Sequence, residues 1–129
     1  MKKLIYTGII LGAIYALVLL QSCEKEYFVP ATKPLPDSAS FQKDILPIFT
    51  ANCTSSGCHT TGGIAPDLSP ATAYSNLFIY GLVDTANVES SVLYMRMTSA
   101  SNPMPPTGKL PTGTTDLVKL WIEQGAKDN

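Results

Sequence analysis

Cys53-Thr54-Ser55-Ser56-Gly57-Cys58-His59 holds the only histidine of the chain, placed directly after the second of two cysteines. Two thiols that add across the vinyl groups of one porphyrin, followed at once by an imidazole that turns onto the iron, are the parts of a covalent haem attachment site. The familiar form of this run has two residues between the cysteines, and here there are four. Two plainer readings stand beside it. One is a Cys53–Cys58 disulfide in an exported loop. The other is a partial metal site, in which two thiolates and one imidazole leave a tetrahedral zinc one ligand short.

Composition bounds what surrounds this loop. At 129 residues there is room for one small domain with appendages. Nine Lys+Arg against ten Asp+Glu give no basic footprint, which argues against a nucleic-acid partner. The third cysteine, Cys23, lies apart from the pair, at the end of an apolar N-terminus. Lys2 and Lys3 form a short positive head, Leu4 to Leu20 is uncharged and mostly apolar, and Leu20-Gln21-Ser22-Cys23 resembles the lipobox of bacterial lipoproteins. A transmembrane anchor is the competing reading, but the stretch falls short of the about 20 residues that span a bilayer, and Gly8 and Gly12 interrupt it. The pattern predicts a signal peptide over 1–22, cleavage before Cys23 and a diacylglyceryl group on its sulfur. Two or three acyl chains, at about 0.8 kcal/mol per buried methylene, hold a protein on a membrane where one does not. The expected location is outside the cytoplasm, lipid-anchored to a bacterial membrane and facing the periplasm or cell surface. Loss of Lys2 and Lys3 leaves 7 basic residues against 10 acidic ones, a formal charge of −3.

Residues 23–39 read as a tether: Glu24, Lys25 and Glu26 are solvated charges, and Pro30, Pro34 and Pro36 favour extended backbone. The folded domain is expected over 40–129 and is all-α. Ser38 or Ser40 caps a first helix whose apolar face is Phe41, Ile45, Ile48 and Phe49, with Pro47 bending it or marking its start. Ser69-Pro70 predicts the start of a second, with Tyr74, Leu77 and Phe78 inward. A third is expected from Glu89 to about Thr98, turning Val92, Leu93 and Met97 to the core. Asn102-Pro103-Met104-Pro105-Pro106 forbids regular structure. A last helix should begin near Thr114 or Thr115, bury Leu117, Val118, Leu120, Trp121 and Ile122, and end at Gly125.

Taken in order, Phe41-Gln42-Lys43-Asp44-Ile45-Leu46-Pro47-Ile48-Phe49, the Cys53–His59 loop, Ala65-Pro66-Asp67-Leu68, Met104-Pro105-Pro106 and the closing Trp121-Ile122-Glu123-Gln124-Gly125-Ala126 resemble class I c-type cytochromes, most closely the short planctomycete-type domain. The resemblance spans almost all of 41–126. It implies a small class I cytochrome c-like fold around one covalent haem c, with Cys53 and Cys58 as attachment points, His59 as proximal iron ligand and Met104 as distal ligand. No second histidine exists for bis-His ligation, and prolines around Met104 would stiffen a loop that holds a soft, weak ligand. Met95 and Met97 are its rivals. The imidazole's other N–H should meet backbone near Ala65 or Pro66. Arg96, Lys109, Tyr74, Tyr80 or Tyr94 are candidates for a propionate, and Trp121 should cross the first helix near Phe41 and Ile45. The expected function is single-electron transfer with an unidentified redox partner protein and no catalysis by the domain itself. The alternatives are a haem-free disulfide-stapled binding module and a haem sensor with an open sixth position.

Overall fold

The structure, a computed structural model, describes residues 34–129. The signal peptide expected over 1–22, Cys23 and the expected tether as far as residue 33 lie outside the described residues. Among those described there is no strand, and no helix is long and apolar enough to cross a membrane. A π-helical turn, Phe41–Ile45, runs straight into α1, Leu46–Asn52; α2 is Ala73–Ile79, α3 is Val92–Thr98 after a 3-10 turn at Val88–Ser90, and α4 is Thr112–Glu123. The all-α class expected from the pattern is what the described residues form.

Pro47 explains how the first helix begins. A proline cannot donate to the carbonyl four residues back, and its ring crowds that carbonyl. The turn before it widens instead: the Ile45 N–H donates to the Ser40 carbonyl at 3.2 Å, and the Leu46 N–H reaches the Phe41 carbonyl, both five residues back. Ser40 caps the turn reciprocally, its hydroxyl accepting from the Lys43 N–H at 3.3 Å while its own N–H donates to Asp44 Oδ2 at 2.8 Å.

The core forms where this helix meets α4. Phe41, Ile45, Phe49, Leu77, Val118 and Ile122 are fully enclosed, and Trp121 nearly so. Phe41 sits at the centre, with Trp121, Tyr74 and Phe49 around it at ring separations of 5.3, 5.1 and 6.3 Å. Removing a side chain such as Phe41 from water contributes roughly 1.5–3 kcal/mol. The C-terminal tail closes the same end. Gly125 takes φ +90°, the left-handed C-cap conformation, and the chain turns back so that Trp121 Nε1 donates to the Lys127 carbonyl and the Phe41 N–H to Asn129 Oδ1. Asp37–Ala39, read from sequence as the end of the tether, already belong to this seam: the Ala39 N–H donates to Gln124 Oε1, and Gln124 Nε2 donates to the Asp37 carbonyl, each at 3.0 Å.

Several expectations about the helices need correction. Ser69 and Pro70 form a turn, closed by Thr72 and Ala73 N–H groups on the Ser69 carbonyl, and α2 proper starts only at Ala73. Phe78 is 42 % exposed; Ala73 and Leu77 take the inward positions four apart, and Phe78 stacks at 5.0 Å on Tyr74 along the flank. Val92 is 39 % exposed for the same reason, since Leu93 and Met97 set the inward stripe of α3. That helix does not run from Glu89, because Ser91 is buried with its hydroxyl bonded to both backbone groups of Asp84. In α4 the helix opens at Thr112 behind Pro111, whose missing N–H costs nothing at that position.

Candidate functional site

The first helix delivers Cys53 to the site. Cys53 is the C-cap of α1, its N–H donating to the Phe49 carbonyl at 2.7 Å. The chain then makes one tight turn in which the Cys58 N–H donates to the Ser55 carbonyl at 2.8 Å and Gly57 takes φ +78°. The His59 N–H returns to the Cys53 carbonyl at 3.0 Å. The two additional residues between the cysteines are absorbed by this turn, and Cys58-His59 comes back beside Cys53.

The loop after His59 fixes the ring. His59 Nδ1 lies 3.1 Å from both the Ile64 and the Pro66 carbonyl oxygens. Two acceptors require Nδ1 to carry the proton, so the Nε2 lone pair is left free to bind a metal. Pro66 is one of the two positions at which the sequence places this carbonyl; Ile64 is an addition. The loop is held in turn by the Ile64 N–H on the Cys58 carbonyl and the Leu68 N–H on the His59 carbonyl, each at 2.8 Å. Gly63 is required for that closeness, because a Cβ there would fall 2.1 Å from the Cys58 oxygen. At the base of the loop Asp67 accepts from the Ser69 N–H and the Thr61 hydroxyl, both at 2.8 Å. The Ser69 side chain first, then its N–H and the Thr61 hydroxyl, hold the Asp67 carboxyl below its ordinary value.

Opposite stands the loop after α3. Met104 is half-buried in a stretch without regular structure, and its N–H donates to the Arg96 carbonyl at 2.9 Å. A small cleft of about 130 Å³ lies between the two loops, lined by Asn52, Cys53, Cys58, His59, Ile64, Met104, Pro105 and Pro106. Cys53, Cys58, His59 and Met104 are thus brought to one cavity. The rival methionines are not among its lining: Met97 is buried in the core and Met95 is 46 % exposed on α3. Asn52 and Ile64 were not singled out from sequence, and Pro105 was read there only as stiffening the Met104 loop. Asn52 was legible only as the residue before Cys53, and its amide donates to the Ile48 carbonyl at 2.8 Å. Of the propionate candidates, Tyr74 donates its hydroxyl to the Ala126 carbonyl and Tyr94 faces Lys119, whereas Arg96 is exposed next to the strand of chain that carries Met104.

Both thiols are free and half-buried. Burial pushes the Cys53 thiol up to about 11, with the neighbouring Cys58 adding to the shift, so Cys53 is a neutral thiol at physiological pH. Among the described residues, no group of three or more His, Cys, Asp or Glu side chains is arranged to hold a metal ion. The described residues therefore offer the partial zinc reading no support. Cys53, Cys58, His59 and Met104 supply two thiols, an imidazole and a thioether to the lining of one cleft. No family model, curated protein or solved structure matches the chain.

Proposed function

We propose that the chain is a monohaem c-type cytochrome of the small class I kind, held outside the cytoplasm by lipid on Cys23, that passes single electrons to and from a redox partner protein and catalyses no reaction of its own. The observation that carries this reading is the single apolar cleft into which Cys53, Cys58, His59 and Met104 are gathered, with the His59 ring already fixed through Nδ1. The residues present fit haem c by their chemistry. Cys53 and Cys58 would hold the porphyrin by thioether bonds, His59 Nε2 would bind the iron, and Met104 would take the sixth position. When bound, the group supplies a one-electron iron couple, whose potential a thioether ligand raises relative to a second imidazole.

The chain's own contribution is to orient and to exclude. The Ile64 and Pro66 carbonyls orient the imidazole and fix which ring nitrogen faces the cleft's proposed occupant. Ile64, Pro105 and Pro106 keep the cleft apolar. Its volume, about 130 Å³, is below the roughly 300–1,000 Å³ of pockets that enclose organic ligands, so the two walls would part to admit the ring. The Met104 wall is tied to α3 at its middle by the Met104 N–H to Arg96 carbonyl bond. Met104 in the lining weighs against an open sixth position.

Attachment is the direct test. Protein expressed with a haem c maturation system should keep its colour through acid–acetone extraction, and its intact mass should show one haem per chain. Colour lost completely, or a mass without haem, would end the cytochrome reading. The anchor is tested by Cys23→Ala, which should leave the chain uncleaved or release it from membranes; a mutant processed and partitioned like wild type would remove the lipid claim.

A further inference from the structure

The proton on His59 Nδ1 is shared between two acceptors, and neither bond is short. The Ile64 and Pro66 carbonyl oxygens both lie at 3.1 Å, against about 2.9–3.0 Å for an ordinary N–H to oxygen bond. A small shift of either oxygen therefore decides how firmly the ring is held. The two oxygens are anchored differently. Ile64 is tied inside the loop, by its N–H on the Cys58 carbonyl at 2.8 Å. Pro66 is tied to α2 through the residue that follows it. The Asn76 amide donates to the Asp67 carbonyl at 2.7 Å, and the hydroxyl of Thr72, which opens that helix, reaches the same oxygen at 3.3 Å. A carbonyl only accepts, so the amide must turn its NH2 to the loop. Asn76 is half-buried beside Leu77, which like Ala73 is fully enclosed in the core, and its own N–H bonds the Thr72 carbonyl at 2.9 Å. The packing that fixes α2 fixes this donor as well.

We propose that Asn76 is a positioning residue for His59: by holding the Asp67 carbonyl it sets where the Pro66 oxygen stands, and so how firmly the imidazole is held and how strongly Nε2 donates to iron. The proposal rests on the cytochrome reading and deepens it. Outer partners of a ligating imidazole tune the metal beyond it. A firmly held Nδ1–H leaves more electron density for Nε2 to donate, which favours ferric over ferrous iron. Asn76 is not among the residues lining the cleft, so its influence passes through the loop.

The test uses full-length holoprotein. Asn76→Leu removes the donor and keeps the side chain's bulk. In the ferrous form its His59 Nδ1–H resonance should exchange with solvent several-fold faster than in wild type, and the potential should rise. The equilibrium constant for reduction should grow by about three- to tenfold, short of the roughly 10–100-fold effects of losing a direct partner of a ligating histidine; tenfold is about 59 mV for a one-electron couple. Asn76→Gln, which returns an amide on a longer arm, should recover part of both. Ser91→Ala is the stability control: it removes the hydroxyl bonded to both backbone groups of Asp84, and should weaken the fold while leaving resonance and potential unchanged. Should Asn76→Leu not accumulate, Thr72→Val carries the test, with shifts of the same sign and smaller size. A potential that stays or falls in the folded variant overturns the proposal, and so does a rise that Ser91→Ala reproduces. Failure of the cytochrome reading is distinct, because it shows beforehand as a missing Soret band and takes this proposal with it.

Discussion

Gly63→Ala isolates the packing on which the His59 loop depends. The new Cβ would lie 2.1 Å from the Cys58 carbonyl oxygen and 3.0 Å from that of Thr60, so backbone must retreat by about an ångström to reach ordinary contact. The Cys58 oxygen is the acceptor of the Ile64 N–H, and Ile64 carries one of the two acceptors of His59 Nδ1. Two hydrogen bonds at about 1 kcal/mol each are at stake, together with about 1 kcal/mol of residual angle strain. Alanine restricts the unfolded chain and returns about 0.4–1 kcal/mol. The net loss is about 2 kcal/mol. In urea, with a slope of about 1–1.5 kcal/mol/M for a domain of this size, the midpoint should fall by roughly 1–2 M at unchanged slope. Gly113→Ala is the internal control: Gly113 lies in α4 with nothing within 4 Å of the new Cβ, so the same chemical change should stabilise by about 0.5–1 kcal/mol. A Gly63→Ala protein as stable as wild type, or a loss shared equally by both variants, would refute the argument from close approach.

Three further outcomes are expected. Ferric holoprotein should show the weak sulfur-to-iron charge-transfer band near the red edge of the visible spectrum; Met104→Ala should abolish it and lower the potential, while Met97→Leu keeps it at a stability cost under about 1.5 kcal/mol. Loss of the band in the Met97 variant alone would reassign the ligand. In haem-free protein Cys53 should alkylate slowly near neutral pH and faster as pH approaches about 11, where its thiolate forms; labelling at the rate of unfolded chain at neutral pH would contradict its burial. Asp67 has its folded-state value lowered below the ordinary 3.8, so its stabilising effect is fully present above that value and is lost as pH falls through the lowered one. Melting temperatures of wild type and Asp67→Asn should therefore differ at neutral pH and converge in acid, and a constant gap would exclude the carboxylate as the cause.

Periodicity and proline placement made the order of helices legible, because Phe41/Ile45/Phe49 and Val118/Trp121/Ile122 repeat at helical spacing and meet in the core. In the two-turn helices α2 and α3 the expected face held at Leu77 and Met97 but not at Phe78 and Val92, because a single buried residue per turn suffices there and sequence offers no way to choose between neighbours. The break at Ser91 was hidden because its cause is a side chain bonded to Asp84, seven residues away. At the site, Cys53, Cys58, His59 and Met104 were readable as residue types at given spacings. Ile64 was not, because its part is played by a carbonyl oxygen and by loop geometry that any apolar residue would share.

The first helix separates two jobs. Its N-terminal end is clamped to Gln124 and Asn129, and the chain toward the tether leaves beside that clamp at Asp37. Its C-terminal end is Asn52, already in the cleft wall. Twelve residues at about 1.5 Å each set these ends roughly 18 Å apart. A pull applied at Asp37 would therefore be borne by the clamp and the aromatic packing around Phe41. The Cys53–His59 and Met104 loops lie at the other end of the helix, so the distance on which the proposed iron ligation would depend need not vary under such a load.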